Sequence, residues 1–319
     1  MVDRRQAAAF GGPRFAARGT ALRQELGRHW ARCGVDSEWA PLKAVLMHRP
    51  GAELRHSSDP DAVLMLETVD AVQAGVQHDG VASAFKLAGV KVHYVEPDKE
   101  PPPNQMFCAD QVFMTPEGAI VGRLASSVRA GEERWTARRL AELGIPIVRT
   151  VSGSACFEGA DAQWLDPDTV LLSRGLRTNA AGASQVAAAL TDMGVETIQV
   201  DTVPGTMHLM GQLRFVSAGR AALWPGRVPA DVEGLLEERG FEVLRMPDEQ
   251  ELEQGLALNF VTLGPDQILM PAGNPRSQAF LEAAGVRCQV TPMTEVAKAA
   301  GGIACLTGVL WRASAEASE

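Results

Sequence analysis

No run of 18 apolar residues, the length a membrane-spanning helix needs, occurs anywhere in the 319-residue chain, so no transmembrane segment is expected. The opening MVDRRQAAAFGGPRFAARGT carries arginines with no apolar stretch behind them, and a secretory leader is not expected. There is no CxxC pair. The five cysteines, Cys33, Cys108, Cys156, Cys288 and Cys305, are odd in number and far apart. That spacing offers no zinc site and suits free thiols in a reducing, cytoplasmic setting. Basic charge is short as well: Lys and Arg number 30 against 39 Asp and Glu, for a net charge of -9. This argues against a nucleic-acid binder and is compatible with a cationic small-molecule substrate. Histidine is scarce, and after His93 only His208 remains. What is plentiful is apolar material, 46% of the chain, enough for one large domain or two small ones.

One phrase recurs five times: a helix end, a glycine, then a strand. The copies are KLAGVKVHYV at Gly89, AELGIPIVRT at Gly144, TDMGVETIQV at Gly194, EERGFEVLRM at Gly240 and EAAGVRCQVT at Gly285. Each reads as an amphipathic helix closed by a glycine in the left-handed conformation, where a side chain would clash. Further short strands precede the helices: KAVLMH, GAIVGR, TVLLSR, AALWP and DQILMP. The unit is then strand, strand, helix, strand (ββαβ) over about fifty residues, repeated as in other repeat architectures. An ordinary doubly wound sheet also has glycine-capped helices leading into strands and is the alternative. The register favours the repeat. Glu158 and His208 each lie 14 residues after their repeat glycine, Asn104 lies 15 after and Cys305 lies 20 after. In a ring of like units, equivalent connections share one end, which would gather an acid, an imidazole and a thiol around one mouth.

Four stretches carry candidate chemistry. EPPPNQMFCADQVFM brings Asn104 and Asp110 beside Met106, Phe107 and Phe113 after three prolines that deny a helix. The plain alternative is a loop with an Asx turn. CFEGADAQWL pairs Glu158 with Asp161. Beside Phe157 and Trp164, Glu158 is expected to be partly desolvated with a raised pKa. The alternative is a pair of solvated loop charges. In PGTMHLMGQLRFV, a lone histidine is more often a core residue than a catalyst, but its register with Glu158 favours catalysis. AKAAGGIACLTG sets Cys305 among Gly301, Gly302 and Gly308, where the backbone can bend towards a ligand. A cysteine among apolar neighbours is commonly inert. A nucleophile needs a partner that favours thiolate, and His208 is the candidate.

In order along the chain, PNQMFCAD, FEGAD, RTN, MHLMG and GGIACLTG resemble the guanidino-group-modifying, or pentein, superfamily. That superfamily includes arginine deiminases, arginine amidinotransferases and dimethylarginine dimethylaminohydrolases. The resemblance runs from about Glu38 to Arg312 and implies a five-bladed α/β propeller. It implies a catalytic domain over residues 38–319, preceded by an extension over 1–37. In that extension ALRQELGRHWARCG reads as an amphipathic helix. It also implies a mechanism. Cys305 attacks a guanidinium carbon, an amine leaves, and water or another amine resolves the covalent amidino-thioether. His208 would be the acid/base, and Glu158 would orient it and hold the guanidinium. Asp110 would bind the guanidinium nitrogens, and Asn104 matches a deiminase asparagine. Arg129 and Arg177 match arginines that clamp the substrate α-carboxylate, a role suited to bidentate guanidinium; surface ion pairing is the alternative. No metal and no cofactor are implied.

Two positions depart from the family pattern. Met210 stands where deiminases and amidinotransferases commonly carry an aspartate, and Ala109 precedes Asp110 where relatives carry arginine or an acid. An apolar Met210 would favour an alkylated guanidine, and Met210→Asp would shift preference to plain arginine. The expected function is a cysteine-dependent hydrolase of arginine or an N-modified arginine. The alternatives are an amidinotransferase with an amine acceptor, a dihydrolase that yields ornithine, and a non-catalytic binding protein of the same fold. The expected partner is a small guanidino substrate, with no nucleic acid and no membrane; self-association is left open.

Overall fold

The computed structural model describes residues 4–56 and 59–315. Residues 1–3 of the expected extension, and 57–58 and 316–319 of the expected catalytic domain, lie outside the described residues. The strands are Leu42–Met47 (β1), Lys91–Tyr94 (β2), Val112–Thr115 (β3), Gly118–Val121 (β4), Ile147–Thr150 (β5), Ala162–Asp166 (β6), Thr169–Arg174 (β7), Glu196–Asp201 (β8), Leu213–Ser217 (β9), Arg220–Leu223 (β10), Glu242–Arg245 (β11), Val261–Gly264 (β12), Gln267–Pro271 (β13), Arg287–Thr291 (β14) and Gly308–Arg312 (β15). They pair into five three-stranded sheets: β15-β1-β2, β3-β4-β5, β6-β7-β8, β9-β10-β11 and β12-β13-β14. In each sheet the middle strand runs antiparallel to the first neighbour and parallel to the last. A helix makes each parallel step: Ala71–Leu87, Glu132–Glu142, Ala180–Thr191, Ala230–Glu238 or Pro275–Ala283.

This is the ββαβ unit, five times over, and five separate sheets rule out one open doubly wound sheet. Each repeat glycine has a φ between 72° and 86°, so the left-handed helix ends are real. Helix starts are equally local. Asp70 caps the first helix through Val72 N and Gln73 N, Asn179 caps the third through Gly182 N, and Pro275 opens the fifth. The first unit differs in one respect: its antiparallel strand, β15, comes from the other end of the chain.

Burial grades across each sheet. β3 and β12, like the middle strands β4 and β7 over most of their length, are buried, whereas the parallel strands β2, β5 and β11 are half exposed. The buried first strands also bond to one another. Trp164 Nε1 in β6 donates to Met114 O in β3 at 3.2 Å, and Gln163 Nε2 donates to Leu213 O in β9 at 2.9 Å. Thr262 Oγ1 in β12 donates to Phe215 O in β9 at 2.6 Å. Arg312 Nη1 in β15 donates to Thr262 O at 2.9 Å.

The remaining link, β15 to β3, is made by the N-terminal segment. Gly34 N donates to Leu310 O at 3.0 Å, and Val35 N donates to Thr115 O at 3.3 Å. The expected extension is therefore hydrogen-bonded to the expected catalytic domain. Ala31 N bonds to Gly144 O, and buried Asp36 accepts from Ser314 Oγ and Ala315 N. The amphipathic helix expected in ALRQELGRHWARCG shrinks to one turn, Leu22–Glu25. Leu26, in extended backbone, ends it before Gly27 at φ 78°, and Glu25 turns back onto Arg18 and Thr20.

Candidate active site

Five connections run from the outer strand of one sheet to the first strand of the next, and each delivers a polar side chain just before that strand. Asp110 sits on the single turn Cys108–Gln111 before β3, and Glu158 leads into the turn Gly159–Asp161 before β6. His208 leads into Leu209–Gly211 before β9, and Cys305 lies on Ile303–Leu306 before β15. The fourth connection supplies Asn259, two residues before β12. Asn259 escaped the reading of the sequence. The register contained it, because Asn259 lies 19 residues after Gly240, as Cys305 lies 20 after Gly285.

Asn104, Phe107, Asp110, Arg129, Arg177, His208 and Cys305 line one small pocket, with Leu64 at its edge. Asn104 is buried and donates from Nδ2 to Val63 O at 2.7 Å, fixing the Leu64 loop. Both arginines are buried rather than at the surface. Arg129 Nη1 lies 2.7 Å from Asp110 Oδ2 and Arg129 Nη2 lies 2.8 Å from Glu132 Oε2. Arg177 Nη1 lies 3.5 Å from Glu158 Oε2.

Glu158 is fully buried and lies behind the pocket wall. Its Oε1 accepts from Ala125 N, and its Oε2 lies 2.8 Å from His208 Nε2. The carboxylate is thus engaged by His208, Arg129 and Arg177. Its expected upward pKa shift is reversed. Burial alone would raise it, but the His208 hydrogen bond and the charges of His208, Arg129 and Arg177 hold it at about 2. His208 moves the other way. Burial would lower it, yet Asp110, Glu158 and Asp161 raise it to about 9, so the ring is an imidazolium at neutral pH.

Asp161 does not reach the pocket either. Its Oδ2 accepts from Thr178 Oγ1 at 2.7 Å, and its Oδ1 accepts from Ser173 Oγ and Leu209 N. Those bonds tie the Glu158 connection to the His208 connection. Asp110 is different: its Oδ1 is buried, 3.9 Å from His208 Nε2, and has no hydrogen-bond partner among the described residues. A buried carboxylate oxygen left open costs roughly 1–3 kcal/mol, so it marks a place for an N–H donor. Burial raises Glu132 to about 7 and raises Asp161 as well, the response of a cluster short of one cation.

Cys305 is half-buried, and Asn259 Nδ2 donates to its Sγ at 3.0 Å. The other end of the same amide, Oδ1, accepts from Ala304 N at 2.8 Å and Cys305 N at 3.3 Å. The glycines before Cys305 serve close packing rather than an unusual backbone. A Cβ on Gly302 would stand 2.8 Å from Asn259 Oδ1, and one on Gly301 would stand 2.4 Å from the Phe107 ring. Burial and Asp110 raise the thiol pKa, while Asn259 and Arg214 oppose them. Met210 packs with apolar residues and lines a neighbouring chamber that also touches Cys305 and His208, rather than the pocket that holds Asp110.

Asp110, Glu158 and His208 are the one set among the described residues whose ligand atoms could hold a metal, converging within 4.8 Å. Arg129 Nη1 already reaches both carboxylates, at 2.7 and 3.5 Å, so a guanidinium neutralises that set. No helix among the described residues is long and apolar enough to cross a membrane.

This constellation has known counterparts. A family model described as N,N dimethylarginine dimethylhydrolase, eukaryotic, matches residues 66–310. An N(G),N(G)-dimethylarginine dimethylaminohydrolase of Streptomyces coelicolor is 27% identical over 268 residues, 84% of this chain and 96% of that protein. Among solved structures, the Pseudomonas aeruginosa dimethylarginine dimethylaminohydrolase, a mutant complexed with citrulline, superposes with a TM-score of 0.70 at 23% identity. It covers 86% of this chain and 100% of that one. An amidinotransferase of the saxitoxin pathway from Microseira wollei superposes with a TM-score of 0.69 at 14% identity, over 88% of this chain and 98% of that one. From the family match over residues 66–310, the chain belongs to the N,N dimethylarginine dimethylhydrolase family, within the guanidino-group-modifying pentein superfamily.

Proposed function

We propose that this protein is a cysteine-dependent hydrolase of a guanidino compound, arginine or an N-modified arginine, acting through a covalent amidino-thioether at Cys305. The five sheets are the blades of a propeller, and the pocket lies at one end of it. The hydrogen bonds that run β3–β6–β9–β12–β15, with the Gly34–Val35 link back to β3, support that closure. The single observation that carries the function is the open Asp110 Oδ1, buried in the same pocket as His208 and Cys305.

A substrate guanidinium donates to Asp110 Oδ1, and its cation answers the excess of buried carboxyl groups. Arg177 holds the α-carboxylate, while Arg129, bonded to Asp110 and Glu132, fixes Asp110 beside the guanidinium. Cys305 rests as a thiol, because its pKa is raised. An arriving cation favours the thiolate, and the proton passes to solvent. Sγ then bonds to the guanidinium carbon, while Asn259 keeps Sγ aimed. The C–N bond to the leaving amine breaks, and His208, already protonated, gives that amine its proton. The neutral imidazole next removes a proton from water, which adds to the thiouronium carbon. The C–S bond breaks, leaving a urea-type product. The relatives named as dimethylarginine dimethylaminohydrolases and as an arginine deiminase support a hydrolytic outcome.

The test is product analysis with L-arginine and Nω-methyl-L-arginine. Citrulline formed without any added amine is the expected result. Turnover that strictly requires an amine acceptor would replace this reading with amidino transfer, and ornithine with two ammonia would replace it with a dihydrolase.

A further inference from the structure

Cys305 and His208 form the wall between two chambers, and the Asp110 pocket is the smaller one. The other is a cavity of about 170 Å³ against about 20 Å³. At 10–15 Å³ for one water, the larger holds on the order of ten. Its walls are apolar: Met207, Met210, Trp224, Leu252, Leu256 and Leu258. Beside His208 and Cys305, its polar side chains are Gln212, Glu253 and Asn259, and no arginine or lysine lines it among the described residues.

The chamber is built rather than left over. Leu256 has a φ of 53°, in the left-handed region that a branched side chain avoids, and backbone strain of this kind clusters at functional sites. It is held there by Asn259 N donating to Leu256 O and by Ala257 N donating to Glu251 O. Glu251 is itself fixed by Arg276 N and Ser277 N, and Asn274 Nδ2 pins Gly255 O.

We propose that this chamber binds the amine half of the reaction, an amine with an aliphatic or aryl-alkyl tail, larger than methyl or dimethyl. The assignment rests on the hydrolase reading and extends it to a substrate class. Charge sets the orientation. Arg177, which suits an α-carboxylate, lies in the small pocket, whereas the large one offers the Glu253 carboxylate, the Gln212 and Asn259 amides and apolar walls. The guanidinium carbon must lie within about 3–3.5 Å of Sγ, so a substituent on its far nitrogen enters the large chamber. When Sγ bonds to that carbon, the C–N bond to the substituted nitrogen breaks. The amine takes the His208 proton and departs through the chamber. By the reverse path, an added amine attacks the thiouronium, expels Sγ and gives an N-substituted arginine, with ammonia as the first leaving group when the substrate is arginine.

The experiment uses the full chain, wild type and Leu256→Trp, which fills the chamber from a half-buried position outside the catalytic machinery. Alkylation of Cys305 by 2-chloroacetamidine and by its N-butyl derivative is followed by mass spectrometry, with no turnover required. The wild type should prefer the N-butyl probe by on the order of tenfold. Leu256→Trp should remove that preference by slowing the N-butyl probe far more than the parent probe. Equal rates for both probes in the wild type, or equal slowing of both in Leu256→Trp, would overturn the assignment. Two turnover arms separate the sources of the amine. Citrulline and butylamine from Nω-butyl-L-arginine mean a departing amine. Nω-butyl-L-arginine from L-arginine plus butylamine means an arriving one. If the probe preference holds while no guanidino compound is turned over, the chamber stands and the hydrolase reading fails.

Discussion

Glu158 Oε2 lies 2.8 Å from His208 Nε2, both groups buried, and each holds the other in its charged form. His208 is raised to about 9 and Glu158 is lowered to about 2. The linkage follows from the signs. The raised His208 stabilises the fold fully below its ordinary value of 6.5 and loses that contribution as pH rises through about 9. The lowered Glu158 contributes fully above 4.5 and loses its share as pH falls through about 2. Thermal unfolding of wild type and Glu158→Gln across pH 4 to 10 should show the largest gap near pH 5–6.5, narrowing towards alkaline pH. On the proposed mechanism the imidazolium is the proton donor, so kcat should fall as pH rises through about 9. A fall centred near 6.5 would mean that the pair does not act as described.

Asp110 Oδ1 is the open acceptor, so Asp110→Asn should act on substrate rather than on folding. Losing one charged hydrogen bond is worth about 1.5–3 kcal/mol, or roughly ten- to a hundredfold in kcat/KM. Arg129 keeps Glu132 at 2.8 Å in the variant, so a cooperative fold should persist. Steady-state kinetics beside a melting curve separates the two effects.

Asn259 has two tasks that one substitution separates. In Asn259→Asp, one carboxylate oxygen still accepts from Ala304 N and Cys305 N, while the other faces Sγ and repels thiolate. The melting temperature should stay close to wild type. The pH midpoint for iodoacetamide alkylation of Cys305 should rise by about one unit or more. An unmoved midpoint would limit Asn259 to a structural role.

Much of this was legible in the sequence because it is local. A left-handed glycine after each helix depends on a few neighbouring residues, and five such glycines at like spacing were enough for the unit and for the register of Glu158, His208 and Cys305. What was missed depends on contacts across the molecule. The raised pKa expected for Glu158 considered Phe157 and Trp164 and not His208, Arg129 and Arg177, which arrive from other units. Asp161 looks like a second ligand in FEGAD, but Thr178, Ser173 and Leu209 N use up its oxygens. Leu22–Glu25 remains one turn because residues 31–36 are drawn into β15 and β3, which no helical periodicity encodes.

Met210 illustrates the same point. It is buried among apolar groups and lines the larger chamber rather than the pocket that holds Asp110, so Met210→Asp should destabilise the fold and also weaken the preference for an N-alkyl substituent. An unpaired buried carboxylate costs several kcal/mol, and a core truncation adds about 2 more. Urea unfolding checks the loss, and a variant as stable as wild type would contradict it.

On the proposed mechanism, Cys305 Sγ becomes covalently joined to a guanidinium-type carbon during turnover. The direct measurement is acid-quenched mass spectrometry of the full chain under turnover with S-methyl-L-thiocitrulline, whose methanethiolate departs without a proton from His208, in wild type and in His208→Gly, where resolution by water should be slowed. A mass increase equal to the substrate less its departing group, confined to the Cys305 peptide, should accumulate in His208→Gly and be absent in Cys305→Ser. Citrulline formation with no adduct in either protein, or by Cys305→Ser at an undiminished rate, would contradict it.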